Sequence, residues 1–152
     1  MDVRDDKLEF AESIGALASV NGTSTADVAS AIHDLTDGGA HVSLDAFGSA
    51  TTAFNSVACL RKRGRHVQVG LMVEDDARAA VPMDRIVADE LEIVGSHGLQ
   101  AHRYPEMLAM IESGAVSPAR LLGQTVSLDD ATRLLPTMDQ FTGTGVTVID
   151  RF

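Results

Sequence analysis

Three short apolar runs each end on glycine: Val42-Ser-Leu-Asp-Ala-Phe-Gly48, His66-Val-Gln-Val-Gly70 and Leu91-Glu-Ile-Val-Gly95. Each has strand length. Parallel strands of an open α/β sheet bring their carboxyl ends to one edge, where glycine lets the backbone turn tightly and approach a ligand closely. Three such ends in succession imply one wall of a nucleotide crevice. No strand runs into the Gly-x-Gly-x-x-Gly turn that seats a pyrophosphate on a helix N-terminus, so the chain carries no such cradle.

Individual side chains near these ends offer limited chemistry. Asp2 sits just before a helix, where an acid in a dinucleotide fold accepts hydrogen bonds from the adenosine ribose and repels a 2′-phosphate; from position alone the solvated N-terminal acid is the favoured alternative. Lys7, one turn on, is placed to reach the same ribose or to remain a surface lysine, while Arg4 is a candidate partner for a 2′-phosphate. His97, in Gly95-Ser-His-Gly98, has the chemistry of an acid, base or metal ligand, yet no set of His, Cys and carboxylates occurs at metal spacing. Asp45, inside the first run, either bonds backbone donors at the strand end or lines the cleft beside Phe47 and Gly48. His33, His41, His66 and His102 receive no role. No Gly-x-Ser-x-Gly elbow supports hydrolase chemistry.

The elements that must position these residues alternate. Asp5 to Gly15 reads as a helix, Leu17 to Val20 as a brief strand, and Ser24 or Thr25 as the cap of a second helix carrying Val28, Ala29, Ile32 and Leu35. Residues Ala50 to Arg63 read as a helix with Ala53, Phe54, Val57 and Leu60 inward, ending in Arg61-Lys-Arg63 with Gly64 as a left-handed cap. Glu74 to Ala80 reads as a surface loop. Tyr104-Pro-Glu opens a helix ending at Gly114, Leu121 to Val126 is a strand, Ser127 caps a further helix and Val146 to Ile149 is the last strand. The alternation is that of right-handed β-α-β crossovers.

Composition narrows the field. The chain has 152 residues, 45% of them hydrophobic, and a net charge of −10, which disfavours a nucleic-acid groove. One cysteine, Cys59, excludes an intramolecular disulfide, and its helical neighbours Phe54 and Val57 mark it as a packed thiol. There is no stretch long enough to span a bilayer and no signal-peptide core near Met1, so a cytoplasmic location and no membrane partner are expected.

Taken in order, Asp2-Val-Arg-Asp-Asp-Lys7-Leu8, Gly38-Gly-Ala-His-Val-Ser-Leu-Asp-Ala-Phe-Gly48, Gly64-Arg-His-Val-Gln-Val-Gly70-Leu71 and Glu92-Ile-Val-Gly95-Ser-His-Gly98 resemble the C-terminal part of medium-chain, zinc-type alcohol dehydrogenases. The likeness runs over essentially the whole chain. It implies an α/β fold: a partial Rossmann-like, doubly wound parallel sheet lacking its first two strands, plus a C-terminal strand-helix-strand return segment. Residues 1–119 would be the partial dinucleotide-binding domain and residues 120–152 the return toward the catalytic domain. The resemblance implies that Asp2 and Lys7 hold the adenosine ribose, that Phe47 and Gly48 lie on the adenine side, and that Val69, Gly70 and Leu71 with Ser96 and His97 face the nicotinamide half.

The implied function is the cofactor-binding portion of an NAD(P)-dependent oxidoreductase, with NAD favoured and with zinc held only in the complete enzyme. The zinc domain, the first strand and the glycine fingerprint would precede Met1, so the isolated chain is expected to be inactive. An arginine common in the family's last strand is replaced by Gly145 beside Thr144. The alternative is a non-catalytic oligomerisation or interaction module derived from the same fold, pairing through the edge of Leu91 to Gly95 against the opposition of Glu90 and Glu92.

The family's strand order would leave the Leu17 and Val42 strands flanking an empty lane, with two apolar edges unpaired. A homo-oligomer, or poor order near the N-terminus, is therefore expected. Size-exclusion chromatography with amide exchange checks this: a monodisperse monomer with protected amides throughout Leu17 to Val20 refutes it.

Overall fold

The computed structural model describes residues 1–140 and 143–152. In chain order the regular elements are α1 (Asp5–Ser13), α2 (Val28–Leu35), β1 (Ala40–Asp45), α3 (Ala50–Ala58), β2 (Leu60–Gln68), α4 (Met83–Ala88), β3 (Glu92–Gly95), α5 (Tyr104–Glu112), β4 (Leu122–Ser127), α6 (Leu128–Leu134) and β5 (Val146–Arg151), with short 3-10 turns between some of them. They form two compact units: Met1–Val3 with Ala18–Gly98, and Arg4–Leu17 with Leu99–Phe152.

The first unit is built on a parallel sheet in the order β1-β2-β3. Its three glycine-terminated runs are therefore neighbouring strands. The strands themselves stop earlier than the runs, at Asp45 and Gln68, so Gly48 and Gly70 lie in the turns beyond. Val57, Leu60 and Leu91 form the core, with Ala40, Val81 and Ile86 packed around them.

Helix α3 starts cleanly and ends early. Ser49 and Thr52 form a reciprocal capping box, and the Asp76 carboxylate accepts the Ala50 N–H at 3.0 Å. The expected continuation to Arg63 is corrected: the helix stops at Ala58, and Leu60, wholly buried, begins β2. Arg85 explains the stop, because its guanidinium bonds the carbonyls of Ala58 and Leu60 and caps the helix end from α4. Arg61 to Arg63 thus belong to a strand. They are accommodated in a bulge, since pairing jumps from Ala40↔Leu60 to Val42↔Arg65. Arg63, not Gly64, takes the left-handed conformation, at φ 60°. Arg63 and Arg65 meet Glu90 and Glu92 at 2.8 and 2.6 Å, so the acids expected to oppose edge pairing neutralise β2 instead.

Other expectations are also corrected. Phe54 faces solvent at 45% exposure. Asp27, not Ser24 or Thr25, caps α2 by accepting the Ser30 N–H at 2.9 Å. Glu74 to Arg78 form a 3-10 turn. Leu17 to Val20 is not a strand; only an isolated parallel bridge, Asp2↔Asn21, occurs there. A ladder needs a neighbour along its length, and the described residues supply one bridge only.

In the second unit, β4, α6 and β5 make a parallel β-α-β. Ser127 caps α6 as expected, accepting the Asp130 N–H at 3.2 Å. Arg120 donates to the Ser13 carbonyl at 2.8 Å, tying this segment to the end of α1. No helix among the described residues is long and apolar enough to cross a membrane.

The two readings of residues 50–63 separate on mutation. Leu60→Ala is expected to cost about 2–5 kcal/mol and Arg85→Ala about 1–2 kcal/mol in urea denaturation. Phe54→Ala is expected to cost less than about 1 kcal/mol, where a buried helix position would cost several times more.

Candidate functional site

The carboxyl edge of the first unit is held together by main-chain bonds that step from strand to strand. The Asp45 carbonyl, last in β1, accepts the N–H groups of Val69 and Gly70 at 2.9 and 2.8 Å. The Gln68 carbonyl, last in β2, accepts the Ser96 N–H at 2.9 Å. Each strand thus anchors the turn that follows its neighbour. Phe47, Gly48, Val69, Gly70, Leu71 and Ser96 come together as one shelf, and His97 follows as an exposed loop residue.

The shelf is tightest between its first two turns. A Cβ on Gly70 would lie 2.4 Å from the Gly48 nitrogen, and one on Gly48, where φ is +87°, would lie 2.6 Å from the Leu71 carbonyl oxygen. Both obstacles are backbone, so only glycine permits the contact. Phe47, Val69 and Leu71 project around it at 69%, 44% and 74% exposure. The result is an apolar, backbone-rich surface.

Asp45 resolves in favour of the backbone-donor reading while also bordering the cleft. One carboxylate oxygen accepts the N–H groups of Phe47 and Gly48, both at 3.0 Å. The other accepts the Thr52 hydroxyl at 3.0 Å and the Gln68 amide at 2.9 Å. Burial pushes this carboxyl up, but the bonds from Gln68, Gly48, Phe47 and Thr52 outweigh it and leave it below the usual carboxylate range. Burial pushes the Cys59 thiol up, which keeps it neutral and unreactive.

A cleft of about 520 Å³ runs along β1, lined also by α2 and α3, with Asp2 and Phe47 on its wall. Asp2 accepts the Val3 N–H at 2.7 Å. Lys7 belongs to the second unit, where its amine bonds the Gly143 carbonyl and borders a separate cleft of about 430 Å³. Arg4 is held by Asp6 at 2.6 Å. Among the described residues no three His, Cys, Asp or Glu side chains gather as a metal set, and the donors present do not fit zinc.

Sequence reasoning missed Gln68, Thr52, Ser56 and His66. Ser43 and Asp45 on β1 pair in register with His66 and Gln68 on β2. That polar alternation at the same phase in two neighbouring strands was the available signal. A Ser56–His66 contact at 3.0 Å is no catalytic pair, because the second imidazole nitrogen faces the Gln68 amide and the ring is 2% exposed.

A family model described as zinc-binding dehydrogenase matches residues 1–113. An erythritol/L-threitol dehydrogenase of Mycolicibacterium smegmatis is 36% identical over 120 residues, covering 76% of this chain and 31% of that protein. An NAD-dependent alcohol dehydrogenase of Sulfurisphaera tokodaii is 29% identical over 98% of this chain and 42% of its own length. The crystal structure of an alcohol dehydrogenase zinc-binding domain protein from Burkholderia ambifaria superimposes with a TM-score of 0.83 at 18% identity, covering 99% of this chain and 41% of that one. The chain therefore spans about a third to two-fifths of the proteins it matches.

Two outcomes test the shelf. Gly70→Ala is expected to destabilise the chain by about 1–3 kcal/mol in chemical denaturation, as one turn is forced off the other. Because the folded pKa of Asp45 lies below its ordinary value of 3.8, its stabilisation is present above that pH and is lost as pH falls through the folded pKa. The stability gap between the native chain and Asp45→Asn should therefore narrow below about pH 4.

Proposed function

The chain belongs to the zinc-binding dehydrogenase family, and from that premise we propose that it forms the cofactor-side portion of an NAD-dependent oxidoreductase that moves hydride between an alcohol–carbonyl pair and nicotinamide. The observation that carries the reading is the glycine shelf: three adjacent parallel strands, with the turns after the first two locked together by backbone contact at Gly48 and Gly70. In an open α/β sheet this edge is where dinucleotides lie.

Within that reading, Phe47 and Gly48 take the adenine side. Val69, Gly70, Leu71, Ser96 and His97 border the nicotinamide half, with Asp2 assigned to the adenosine ribose. Residues 1–119 serve the cofactor and residues 120–152 lead toward a catalytic portion. NAD is favoured over NADP because Asp2 is an acid and because Arg4, the candidate phosphate partner, is engaged by Asp6. Zinc, when bound in the complete enzyme, polarises the alcohol oxygen. Its ligands would come from outside these residues, and a cytoplasmic location is part of the same reading.

A homo-oligomeric role is the second reading. It rests on the outer edge of β1, which pairs with no strand among the described residues, and on Val42 and Leu44 beside it at 54% and 65% exposure.

Saturation-transfer NMR with NADH tests the first reading, and the absence of tryptophan keeps a parallel fluorescence titration clean. Without a glycine-rich pyrophosphate cradle, binding should be weak, with a dissociation constant of about 1 mM. NADPH should bind more weakly still, and Asp2→Ala should erase the difference. No saturable transfer from either nucleotide overturns the proposal.

A further inference from the structure

Between the sheet and α3 lies a continuous polar chain in a place where apolar side chains would pack at lower cost. Ser43 pairs in register with His66, and Asp45 with Gln68, while Thr52 and Ser56 of α3 cover the two pairs one helical turn apart. Ser56 and Ser43 hydroxyls lie 3.0 and 3.3 Å from His66 Nδ1. His66 Nε2 lies 3.1 Å from Gln68 Oε1, and Gln68 Nε2 lies 2.9 Å from both the Asp45 carboxylate and the Gly70 carbonyl.

The hydrogen-bond logic has one solution. The carboxylate of Asp45 and the Gly70 carbonyl are both acceptors, so the Gln68 amide must turn its NH2 group toward them. Its oxygen then faces His66, which must donate from Nε2. Nδ1 is left to accept from the serine hydroxyls. Flipping the amide would set an oxygen against two oxygens and leave a buried donor unpaired.

We propose that Gln68, oriented by His66, is a positioning residue for the cofactor shelf, bridging the Asp45 carboxylate to the Gly70 carbonyl and so fixing the spacing of the Phe47–Gly48 and Val69–Gly70 turns. Asp45 holds the first turn by its side chain and the second by its carbonyl. Gln68 closes that bracket from the other side. Among the described residues the turns are otherwise joined by the Asp45 carbonyl and the contact at Gly48 and Gly70. The assignment of a cofactor to this shelf rests on the proposed function, but the spacing role does not.

The test is residue-resolved amide exchange in the full chain and in Gln68→Met, which keeps length and removes the bridge. Exchange at Phe47, Gly48 and Gly70 is expected to accelerate about tenfold relative to Val57. NADH affinity should fall in parallel. Uniform acceleration at all amides, or no change at the shelf, overturns the proposal. Nitrogen NMR of the unaltered chain decides the orientation even if the variant does not fold: a proton on Nε2 and a bare Nδ1 support it, and the opposite tautomer overturns it. If the unaltered chain binds no NADH while the exchange difference persists, the cofactor reading fails and the positioning role stands.

Discussion

The contact between the turn after β1 and the turn after β2 governs what this edge of the molecule can be. Two glycines bring main chain against main chain at a separation that admits no Cβ. Such closeness aligns amide dipoles and their donors, which must be satisfied locally once buried. Asp45 meets that need with a carboxylate that accepts from two backbone and two side-chain donors. A carboxylate with all four lone-pair directions used is a stable buried charge, whereas the same group with one donor would be a liability. The turns, the strand ends and the start of α3 are therefore parts of one bonded assembly.

The rest of the first unit keeps that assembly in register. At the α3 N-terminus the Ala50 and Thr52 N–H groups are taken by Asp76 and Ser49. Its C-terminus is gripped by Arg85, which commits Cys59 and Leu60 to a sharp passage into β2. Charge on β2 is offset across the sheet by Glu90 and Glu92 in exposed pairs worth little individually. They let a basic segment lie in a parallel sheet of an otherwise acidic chain.

Much of this was legible from residue order. The three glycine-ended runs announced parallel strands, and Ser127 with Asp130 announced the start of α6. Cys59 was rightly placed among buried groups, at 4% exposure. Arg61 to Arg63 misled because a helical period through Ala53, Val57 and Leu60 continues smoothly past the point where Arg85, distant in sequence, ends the helix. Leu17 to Val20 misled for the converse reason: strand propensity in four residues has no effect without a partner for the ladder. His66 and Gln68 were passed over because each looks like an isolated polar residue until Ser43 and Asp45 are set beside them.

The sequence alone determined the fold class and the parallel order of strands, because hydrophobic period and turn chemistry are local properties, while the structure shows that of the three run-end glycines Gly48 and Gly70, not Gly95, are closely packed. The sequence also determined the family, through the ordered spacing of those turns. Only the tertiary structure decided which carbonyl anchors which turn, where α3 ends, and which way the Gln68 amide points. Those outcomes depend on groups that are far apart in the chain and meet only after burial, when the cost of an unpaired donor becomes large enough to select one arrangement.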